Sequence, residues 1–368
     1  MSALFAIDAG TTSLKAGLFN DRGECLGIER TEYTLDTPRV GWAQVNPEVY
    51  WQACVHTIQK ILKSTGINKE EIIALAVSSQ GETILAVDKQ GSPIYPAMVW
   101  LDNRAEEEAK QLAALFGNEV YSRSGIPEVI PTWSACKVLW LRKHEPGIFT
   151  NSAKFLLVQD FLIFRLCGIY ATNESIACTT MFLDIHRHTW WSEVLDTIGI
   201  HSNQLPELHK AGNITGKLCP AAAEKLGLSP NTLVIAGGMD QAVGAIGAGN
   251  IQPGIISEST GAALAIQATV INPVISNQQK FPIYVHSVPD RYLLVPVCPT
   301  AGMAFKWLRD QFCQNEIDLA IKNKEDAYDL MTRLADTVPA GSDGLVMLPH
   351  LSGAFSPRIN PAARGSFT

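Results

Sequence analysis

The sequence predicts an α/β protein in which mixed sheets are flanked by helices and 368 residues form two domains. Apolar stretches with strand character, such as 4–19 and 72–78, alternate with a stretch of helical periodicity over 49–62. Short strands joined by turns near the N-terminus predict an antiparallel edge, which makes the first sheet a mixed one.

The composition narrows the classes of function. The chain is 46% hydrophobic and 18% charged, as is typical of soluble globular proteins. A net charge of -7 without a basic run argues against nucleic acid or an anionic membrane as the main partner. No apolar run is long enough to span a bilayer, and the N-terminus enters a strand without a signal peptide. The 8 cysteines form no C-x-x-C pair, so we expect reduced thiols and a cytoplasmic protein.

Residues 4–19 predict a strand, a tight turn and a second strand. Gly10 lets a phosphate approach the backbone closely, and Thr11, Thr12 and Ser13 add hydroxyl and N–H donors. Asp8 ends the first strand, where it is placed to hold a metal ion through water, because Mg²⁺ keeps several waters. The alternative is an ordinary hairpin turn that Asp8 caps.

The strand predicted at 72–78 delivers the segment 79–83 at its carboxyl end, where ligands bind in open α/β sheets. A later apolar strand leads to Trp100 and Asp102, followed by a helix over 105–116. Trp100 offers an aromatic face for a sugar, and Asp102 offers an acceptor for sugar hydroxyls. In the alternative interpretation Trp100 belongs to the core and Asp102 or Asn103 caps the helix.

In the second half, a strand from residue 232 is predicted to end in a turn at Gly237 and Gly238, before Asp240 opens a helix. Asp240 is interpreted as a helix N-cap, a catalytic base or both. Trp190 and Trp191 are predicted to lie in a helix, as packing residues.

The strand, turn and strand predicted at 4–19 occur a second time later in the chain. There they consist of a strand at 254–258, a turn with Thr260 and Gly261, and a strand at 264–267. Two such turns facing each other across a cleft would grip a polyphosphate from both sides. Helices are predicted at 301–312 and 326–337, and a strand at 345–349. The irregular stretch 351–368 predicts that the chain stops inside a domain.

Together, these stretches resemble the motifs of the FGGY carbohydrate kinases, a family that phosphorylates xylulose, ribulose, gluconate, glycerol and related polyols. The resemblance lies in 4–19, 79–83, 99–104, 237–241, 259–263 and 348–365, in the family's order, and 137–141 resemble its first signature. It implies an actin-like, ribonuclease-H-like fold with a cleft between two domains. These would be an N-terminal sugar-binding domain over 1–245 and a partial C-terminal nucleotide-binding domain over 246–368.

The resemblance also implies ATP and Mg²⁺ as cofactors and assigns the site residues. Asp8 is expected near Mg²⁺ and Asp240 as the general base. The residues expected to contact ATP are Gly10, Thr11, Thr12, Ser13, Thr260 and Gly261, and those expected to contact the sugar are Gln80, Glu82, Trp100, Asp102, Asp240 and Gln241.

Three departures from the family pattern bear on function. Ala262 stands where many members carry a hydroxyl, Gly81 stands where glycerol kinases carry Arg, and members continue further than this chain, into the adenine site. We therefore expect a sugar or polyol kinase acting on a ketopentose such as xylulose, with gluconate, ribulose, erythritol or glycerol as alternatives. A sugar-binding protein without productive ATP binding and an actin-like ATPase remain alternative functions. The expected partners are a small sugar or polyol and a second copy in a homodimer, with no nucleic acid or membrane.

Overall fold

The computed structural model describes residues 2–117, 119–260, 263–275, 281–298, 300–351, 353–356, 360 and 362–368. The chain forms two compact units. The larger contains Met1–Ile255, Thr269–Ile275 and Pro282–Leu293, and the smaller contains Ile256–Ala268, Ser276–Phe281 and Leu294–Thr368. The predicted functional division at residue 245 stays a prediction.

Strands and helices alternate along the larger unit, as the sequence predicts. Its strands are β1 (Ala3–Ala9), β2 (Ser13–Asn20), β3 (Cys25–Glu32), β4 (Gln44–Val45), β5 (Ile72–Ser79), β6 (Ile84–Val87), β7 (Ala97–Met98), β8 (Lys154–Leu157), β9 (Ala171–Asn173), β10 (Leu183–Asp184), β11 (Thr189–Trp190), β12 (Glu207–His209), β13 (Ile214–Lys217) and β14 (Leu233–Met239). Its helices are α1 (Glu48–Thr65), α2 (Glu106–Phe116), α3 (Glu119–Ser124), α4 (Ser134–His144), α5 (Pro146–Asn151), α6 (Val158–Cys167), α7 (Glu174–Ala177), α8 (Ser192–Ile198), α9 (Pro220–Leu226) and α10 (Asp240–Gly247).

The main sheet of this unit has six strands in the order β13-β14-β5-β1-β2-β3. The central strands β14, β5 and β1 run parallel, whereas β2, β3 and β13 pair antiparallel with their neighbours. The sheet is therefore mixed, and the predicted α/β class with an antiparallel edge is confirmed. Because β1, β5 and β14 are parallel, their carboxyl ends meet at one edge of the sheet.

Helices α1 and α6 cover one face of this sheet. Along β1, Phe5 and Ile7 are buried in the core, whereas Leu4 is exposed and Asp8 is half-buried. Alternate residues of a strand face opposite sides, so Asp8 lies on the less buried side. Each buried Ile or Phe side chain contributes about 1.5–3 kcal/mol, which fixes the register and with it the side on which Asp8 emerges.

The helix predicted from 49–62 is α1. The sequence predicts Asn46 as its N-cap and Pro47 as its first helical residue, but the structure has Pro47 at the N-cap position and α1 begins at Glu48. The side chain of Asn46 accepts the backbone N–H of Glu48 at 3.0 Å. Gly66 ends the helix at φ 64°, in the left-handed region that glycine adopts without steric cost.

The glycine turn predicted at Gly237 and Gly238 is wrong, because both residues lie within β14. A Cβ on Gly237 would lie 2.5 Å from the carbonyl oxygen of Val77 on β5, so glycine serves close backbone approach. The register of β14 against β5 shifts between Ala236 and Gly238. β14 nevertheless continues to Met239, and α10 begins at the next residue, Asp240.

The helix predicted to contain Trp190 and Trp191 is also wrong. Trp190 ends β11, and α8 begins at Ser192, because Trp191 occupies the N-cap position with extended backbone. Trp191 is buried, which agrees with its predicted packing role.

Later in the chain, the segment Pro282–Leu293 of the larger unit contains β17 (Ile283–Val285), and β18 (Tyr292–Leu294) begins in the same segment. The smaller unit contains a hairpin of β15 (Ile256–Thr260) and β16 (Leu264–Val270), in which Thr260 pairs with Leu264. The repeat of the opening hairpin is thus confirmed as secondary structure. The remaining elements are β19 (Val297–Cys298), β20 (Met347–Leu348), β21 (Ser366–Phe367), α11 (Ala301–Phe312), α12 (Gln314–Asn323) and α13 (Ala327–Ala335). None of the described helices is both long and apolar enough to cross a membrane.

Candidate active site

Three acidic side chains lie at the carboxyl ends of the three parallel strands of the main sheet or just beyond them. Asp8 lies near the end of β1, Glu82 lies in the segment after β5, and Asp240 directly follows β14. The register pairs Asp8 with Ser78, and Ser78 with Gly238. Neighbouring strands lie about 4.8 Å apart, so the ends of β1 and β14 are roughly 10 Å apart. We call Asp8, Glu82 and Asp240 the acidic cluster.

Asp240 is the first residue of α10, and Met239 occupies the N-cap position. The Asp240 Oδ1 atom accepts the backbone N–H of Gln241 at 2.7 Å. Burial, with a smaller contribution from the negative charge of Asp8, raises the pKa of Asp240 to about 7, against the opposing effect of the hydrogen bond from Gln241. A carboxylate with this pKa accepts and releases a proton near neutral pH. The neighbouring side chain, Gln241, is half-buried at the second helical position.

Glu82 has a strained backbone that three side chains hold in place. Its φ is 56°, in the left-handed region that non-glycine residues seldom adopt. The Glu82 N–H donates to Thr179 Oγ1 at 3.1 Å, and its carbonyl accepts from Ser134 Oγ at 3.0 Å and Lys137 Nζ at 3.2 Å. We call Ser134, Lys137 and Thr179 the Glu82 clamp. Such strain persists only where the surroundings fix the conformation, and it concentrates at functional sites.

The electrostatics of the clamp follow from burial. Lys137 is fully buried, and burial lowers its pKa, while attraction to Glu82 and Asp102 opposes that shift. Burial also raises the pKa of Glu82, the charge of Asp240 adds to the shift, and Lys137 opposes it. Each group thus limits the cost of burying the other.

Thr11 joins the predicted phosphate loop to two residues predicted to contact the sugar. The indole N–H of Trp100 donates to Thr11 Oγ1 at 2.8 Å, and the Thr11 hydroxyl donates to Gln80 Oε1 at 2.9 Å. The Gln80 amide in turn donates to Tyr50 Oη at 3.2 Å. A hydroxyl has one hydrogen, so the Thr11 side chain has none left to donate to a phosphate in this conformation. Its predicted contact with ATP stays a prediction.

The turn between β1 and β2 closes through the Gly10 N–H, which donates to the carbonyl of Ser13 at 3.0 Å. The Tyr33 hydroxyl donates to the Gly10 carbonyl at 2.5 Å. Thr12 is exposed and Ser13 half-exposed, and neither hydroxyl has a hydrogen-bond partner within the described residues. These two hydroxyls are therefore the donors that the turn offers to a ligand.

Asp102 is fully buried and its carboxylate is saturated. Its Oδ2 atom accepts the Ala43 N–H at 2.6 Å and Arg104 Nη2 at 2.7 Å, and its Oδ1 atom accepts the N–H and Nε of Arg104 at 3.0 and 2.8 Å. A carboxylate has about four acceptor positions, so none is left for a sugar hydroxyl. This geometry favours a structural role for Asp102, but the predicted helix cap is wrong, because Ala105 occupies the N-cap position of α2 and no side chain caps the helix. The predicted sugar contact of Asp102 stays a prediction.

Trp100 is half-buried and packs against the core with one side. Within the described ranges no aromatic ring or cation stacks on the Trp100 ring. Trp42, by contrast, is covered by Arg104 at 3.7 Å. The predicted role of Trp100 as an aromatic platform for a sugar stays a prediction.

Asp8 has a geometry that fits a magnesium ion bound mainly through water and phosphate. Ser78 Oγ donates to Asp8 Oδ1 at 3.2 Å, and burial raises the pKa of Asp8 while Ser78 and Lys15 oppose the shift. In the part of the chain that the structure describes, no three His, Cys, Asp or Glu side chains form a metal-binding group. Mg²⁺ is commonly held by one or two carboxylates plus waters and substrate phosphates, which this single carboxylate suits.

The second predicted phosphate turn belongs to the smaller unit. Thr260 is exposed at the end of β15, and its hydroxyl donates to Glu258 Oε1 at 2.6 Å. Gly261 lies outside the described residues, so its predicted contact with ATP stays a prediction.

Sequence reasoning missed the clamp residues Ser134 and Thr179, the role of Lys137, and Tyr284. Tyr284 is buried, and its pKa is raised well above the ordinary value by burial and by the charges of Glu82 and Asp240. It sits in the apolar strand β17, where nothing in the sequence pattern marks it. The sequence does place a lysine, Lys137, within the apolar stretch 135–141. Because lysine is seldom buried without a partner, this position could have indicated the Glu82 clamp.

The chain is similar in sequence to known carbohydrate kinases. The profile described as "FGGY family of carbohydrate kinases, N-terminal domain" matches residues 3–247. The gluconokinase of Bacillus subtilis is 31% identical over 369 residues, which cover 100% of this chain and 71% of that protein. The xylulose kinase of the same organism is 27% identical over 366 residues, with the same coverage.

Solved structures show the same fold. The ligand-bound xylulose kinase of Lactobacillus acidophilus matches with a TM-score of 0.89 and 26% identity, covering 100% of this chain and 72% of that one. The gluconate kinase of the same organism matches with a TM-score of 0.87, 26% identity and the same coverage. The predicted actin-like, ribonuclease-H-like fold is confirmed.

Proposed function

Because the chain belongs to the FGGY family of carbohydrate kinases, we propose that it transfers the γ-phosphoryl group of ATP to a terminal hydroxyl of a small sugar, most specifically a ketopentose such as xylulose. Carbohydrate kinases are phosphotransferases with an alcohol as acceptor. The observation that carries the proposal is Asp240, a half-buried carboxylate with a pKa of about 7 beside Asp8 and Glu82 at the carboxyl edge of the sheet.

In this proposal the chain's own residues bind, orient and deprotonate the acceptor. The ring of Trp100 packs against the C–H side of the sugar, and Glu82 fixes a hydroxyl. Asp240 accepts the proton of the attacking hydroxyl, a role worth about 10²–10⁴-fold in rate. Gln241 and Gln80 are retained as predicted sugar contacts, with Gln80 acting from its buried position through Thr11.

ATP and Mg²⁺ are the proposed cofactors. Thr12 and Ser13 supply hydroxyl donors, and Gly10 the space for a phosphate, while Thr260 and Gly261 are the predicted second contact. Asp8 would hold Mg²⁺ through water, and the ion would supply neutralisation of charge on the phosphates. We retain 1–245 as the sugar-binding domain and 246–368 as the nucleotide-binding domain of this proposal, and a homodimer as a prediction.

The charges around the acidic cluster support a neutral acceptor over gluconate. Gluconate carries a carboxylate, which each ionised side chain of the acidic cluster repels. The raised pKa values of the three groups weaken this repulsion near neutral pH but provide no attraction for a carboxylate. The cations that act on the cluster are Lys137, which is buried and donates to the Glu82 carbonyl, and Lys15, which is exposed beside Asp8. Neither offers a buried, unengaged ammonium for a carboxylate. We therefore place gluconate behind xylulose and ribulose, with erythritol and glycerol as further alternatives.

Coupled ADP release with a panel of acceptors tests the proposed function. We expect release that depends on the acceptor and is fastest with a ketopentose. Release that does not depend on sugar would instead indicate the ATPase. A thermal shift with sugar but no release would indicate a sugar-binding protein. Fastest release with gluconate would contradict the proposed acceptor but not the kinase.

Replacing Thr11 by Val removes the hydroxyl that connects Trp100 and Gln80 but keeps the side-chain shape. One net hydrogen bond is worth about 0.5–1.5 kcal/mol, so we expect the sugar KM to rise about 2- to 10-fold while the ATP KM stays unchanged. Steady-state kinetics with each substrate varied in turn measure this.

Thr11→Ser is the matched control, because it keeps the hydroxyl and should keep the wild-type sugar KM. A rise in the ATP KM alone for Thr11→Val would show that the hydroxyl contacts phosphate, as the sequence predicts, and not Trp100.

A further inference from the structure

The last residue of the strand that leads to Asp240 is held by a side chain from a separate element. Ser175 Oγ, in α7, accepts the backbone N–H of Met239 at 3.1 Å, and Met239 directly precedes Asp240. Both residues are buried, and Ser175 lies 64 positions before Met239 in the sequence. A buried N–H that loses its acceptor is costly, so this bond stabilises the backbone immediately before Asp240.

The orientation of the Ser175 hydroxyl is fixed by two further hydrogen bonds. The hydroxyl donates to Asn173 Oδ1 at 2.7 Å, and it accepts from Ser287 Oγ at 3.0 Å. A hydroxyl has one hydrogen and two acceptor positions, so Ser175 uses all three with Asn173, Ser287 and Met239. Because Asn173 engages the hydrogen, a lone pair of the oxygen remains for the Met239 N–H.

The end of β14 lies too close to these hydroxyls for a side chain. A Cβ on Gly238 would be 2.2 Å from Ser287 Oγ and 2.8 Å from Ser175 Oγ. Glycine at this position therefore allows the strand to pack directly on the two hydroxyls. Removal of the Ser175 hydroxyl leaves space into which the backbone at Met239 can move.

The position of the Asp240 carboxylate depends on this backbone. Its Oδ1 atom accepts the N–H of Gln241 at 2.7 Å, so the carboxylate is fixed to the first turn of α10. Met239 occupies the N-cap position of α10 and makes no side-chain cap bond. The place at which α10 begins is therefore set by the backbone of Met239, which pairs with Ser79 of β5 and donates to Ser175.

We propose that Ser175 is a positioning residue for Asp240, which it holds in place through Met239. This inference rests on the proposed function, in which Asp240 takes the proton of the attacking hydroxyl. A general base must lie within hydrogen-bond reach of that proton, and a small displacement lowers the rate because the reacting groups lose their alignment. Ser175 has no donor or acceptor position left for a substrate, so it acts on the reaction only through the backbone.

Ser175→Ala removes the acceptor of the Met239 N–H, and steady-state phosphorylation of the fastest acceptor tests its effect. We expect kcat to fall about tenfold, because the base acts in the transition state. The sugar KM should stay within about twofold of wild type. Ser152→Ala is the matched control and should keep the wild-type kcat, because it removes a buried hydroxyl that donates to the Ile148 carbonyl in α5.

The same substitution in the Asp240→Asn background separates positioning from a general loss of structure. With no base left to position, Ser175→Ala should lower the single-turnover rate of Asp240→Asn by less than about twofold. A loss of correctly folded protein would lower the rate by the same factor in both backgrounds. Equal factors would therefore overturn the proposal.

Ser175→Cys keeps the test decisive if Ser175→Ala does not fold, because the thiol nearly keeps the shape of the hydroxyl but is a weak acceptor. It should lower kcat about threefold or more with an unchanged sugar KM. A kcat like that of Ser152→Ala in Ser175→Ala, or in Ser175→Cys where only that variant folds, would overturn the role of Ser175. Near-normal turnover of Asp240→Asn would instead end the proposed function of Asp240 and this inference with it, so the active variant identifies which of the two has failed.

Discussion

Asp240→Asn should bind sugar as the wild type does and transfer phosphate at least ~10²-fold more slowly. The amide keeps the shape of the carboxylate but cannot take the proton of the attacking hydroxyl. Titration of sugar by thermal shift and single-turnover phosphorylation measure the two parts separately. Turnover within about threefold of wild type would end the assignment of Asp240 as the general base.

The pH dependence of the wild-type phosphorylation rate should follow the ionisation of Asp240. Asp240 must be ionised to accept a proton, and burial raises its pKa to about 7. The rate should therefore fall about tenfold per pH unit below pH 7 and level off above it. Asp240→Asn should lose this limb of the profile. A wild-type rate that stays flat from pH 5 to 7 would contradict the role.

Loss of turnover in Asp240→Asn should not arise from unfolding. The ordinary pKa of this carboxyl is 3.8 and burial raises it in the folded state. The folded protein then holds the proton more tightly than the unfolded chain, and loses stability as the pH rises from about 4 to about 7. Above pH 7 the charged form weakens the fold, whereas Asn carries no charge. The variant should therefore unfold at or above the wild-type temperature, with Asp196→Asn as an exposed control.

Asp102→Ala should lower the free energy of unfolding by about 3–5 kcal/mol, because it leaves Arg104 buried without its partner. Both side chains of this ion pair are fully buried, and the carboxylate holds the Ala43 N–H as well. Urea unfolding followed by tryptophan fluorescence measures the change. Glu107→Ala is the matched control, since it removes an ion pair with Lys110 that is exposed to solvent and therefore contributes little to stability.

The same variant separates the two interpretations of Asp102. If Asp102 supports the fold beneath Trp100, the stability loss should dominate. If Asp102→Ala keeps the stability of Glu107→Ala but raises the sugar KM about tenfold or more, the sequence-based assignment as a sugar contact is the right one.

Local patterns predicted the elements that position the acidic cluster. Alternating apolar residues in 4–19 and the apolar run 72–78 gave β1, β2 and β5 close to their observed bounds, and Asn46 and Gly66 marked α1. Each of these signals lies within a short stretch of the chain, so it can be recognised in a single sequence. The carboxyl-end rule marked the segment that contains Glu82 as a ligand site, whereas its placement together with Asp240 came from the family resemblance.

Contacts across long sequence separations were beyond such patterns. In the sequence, Gly237 is typical of a turn. In the structure, glycine is required at this position because the backbone of β5 lies too close for a side chain. The Glu82 clamp joins Glu82 to residues 52 to 97 positions away, and the saturation of Asp102 depends on Ala43, 59 positions earlier. The bond from Trp100 to Thr11 spans 89 positions. Tertiary packing alone reveals these partners, and they decide which predicted site residues have an atom left to offer a ligand.

A crystal structure of the protein with xylulose tests the central claim most directly. We expect a terminal hydroxyl oxygen to lie about 2.6–3.2 Å from a carboxylate oxygen of Asp240, with the sugar against Trp100. A well-ordered sugar bound elsewhere, or bound with every hydroxyl beyond hydrogen-bond reach of Asp240, would contradict it.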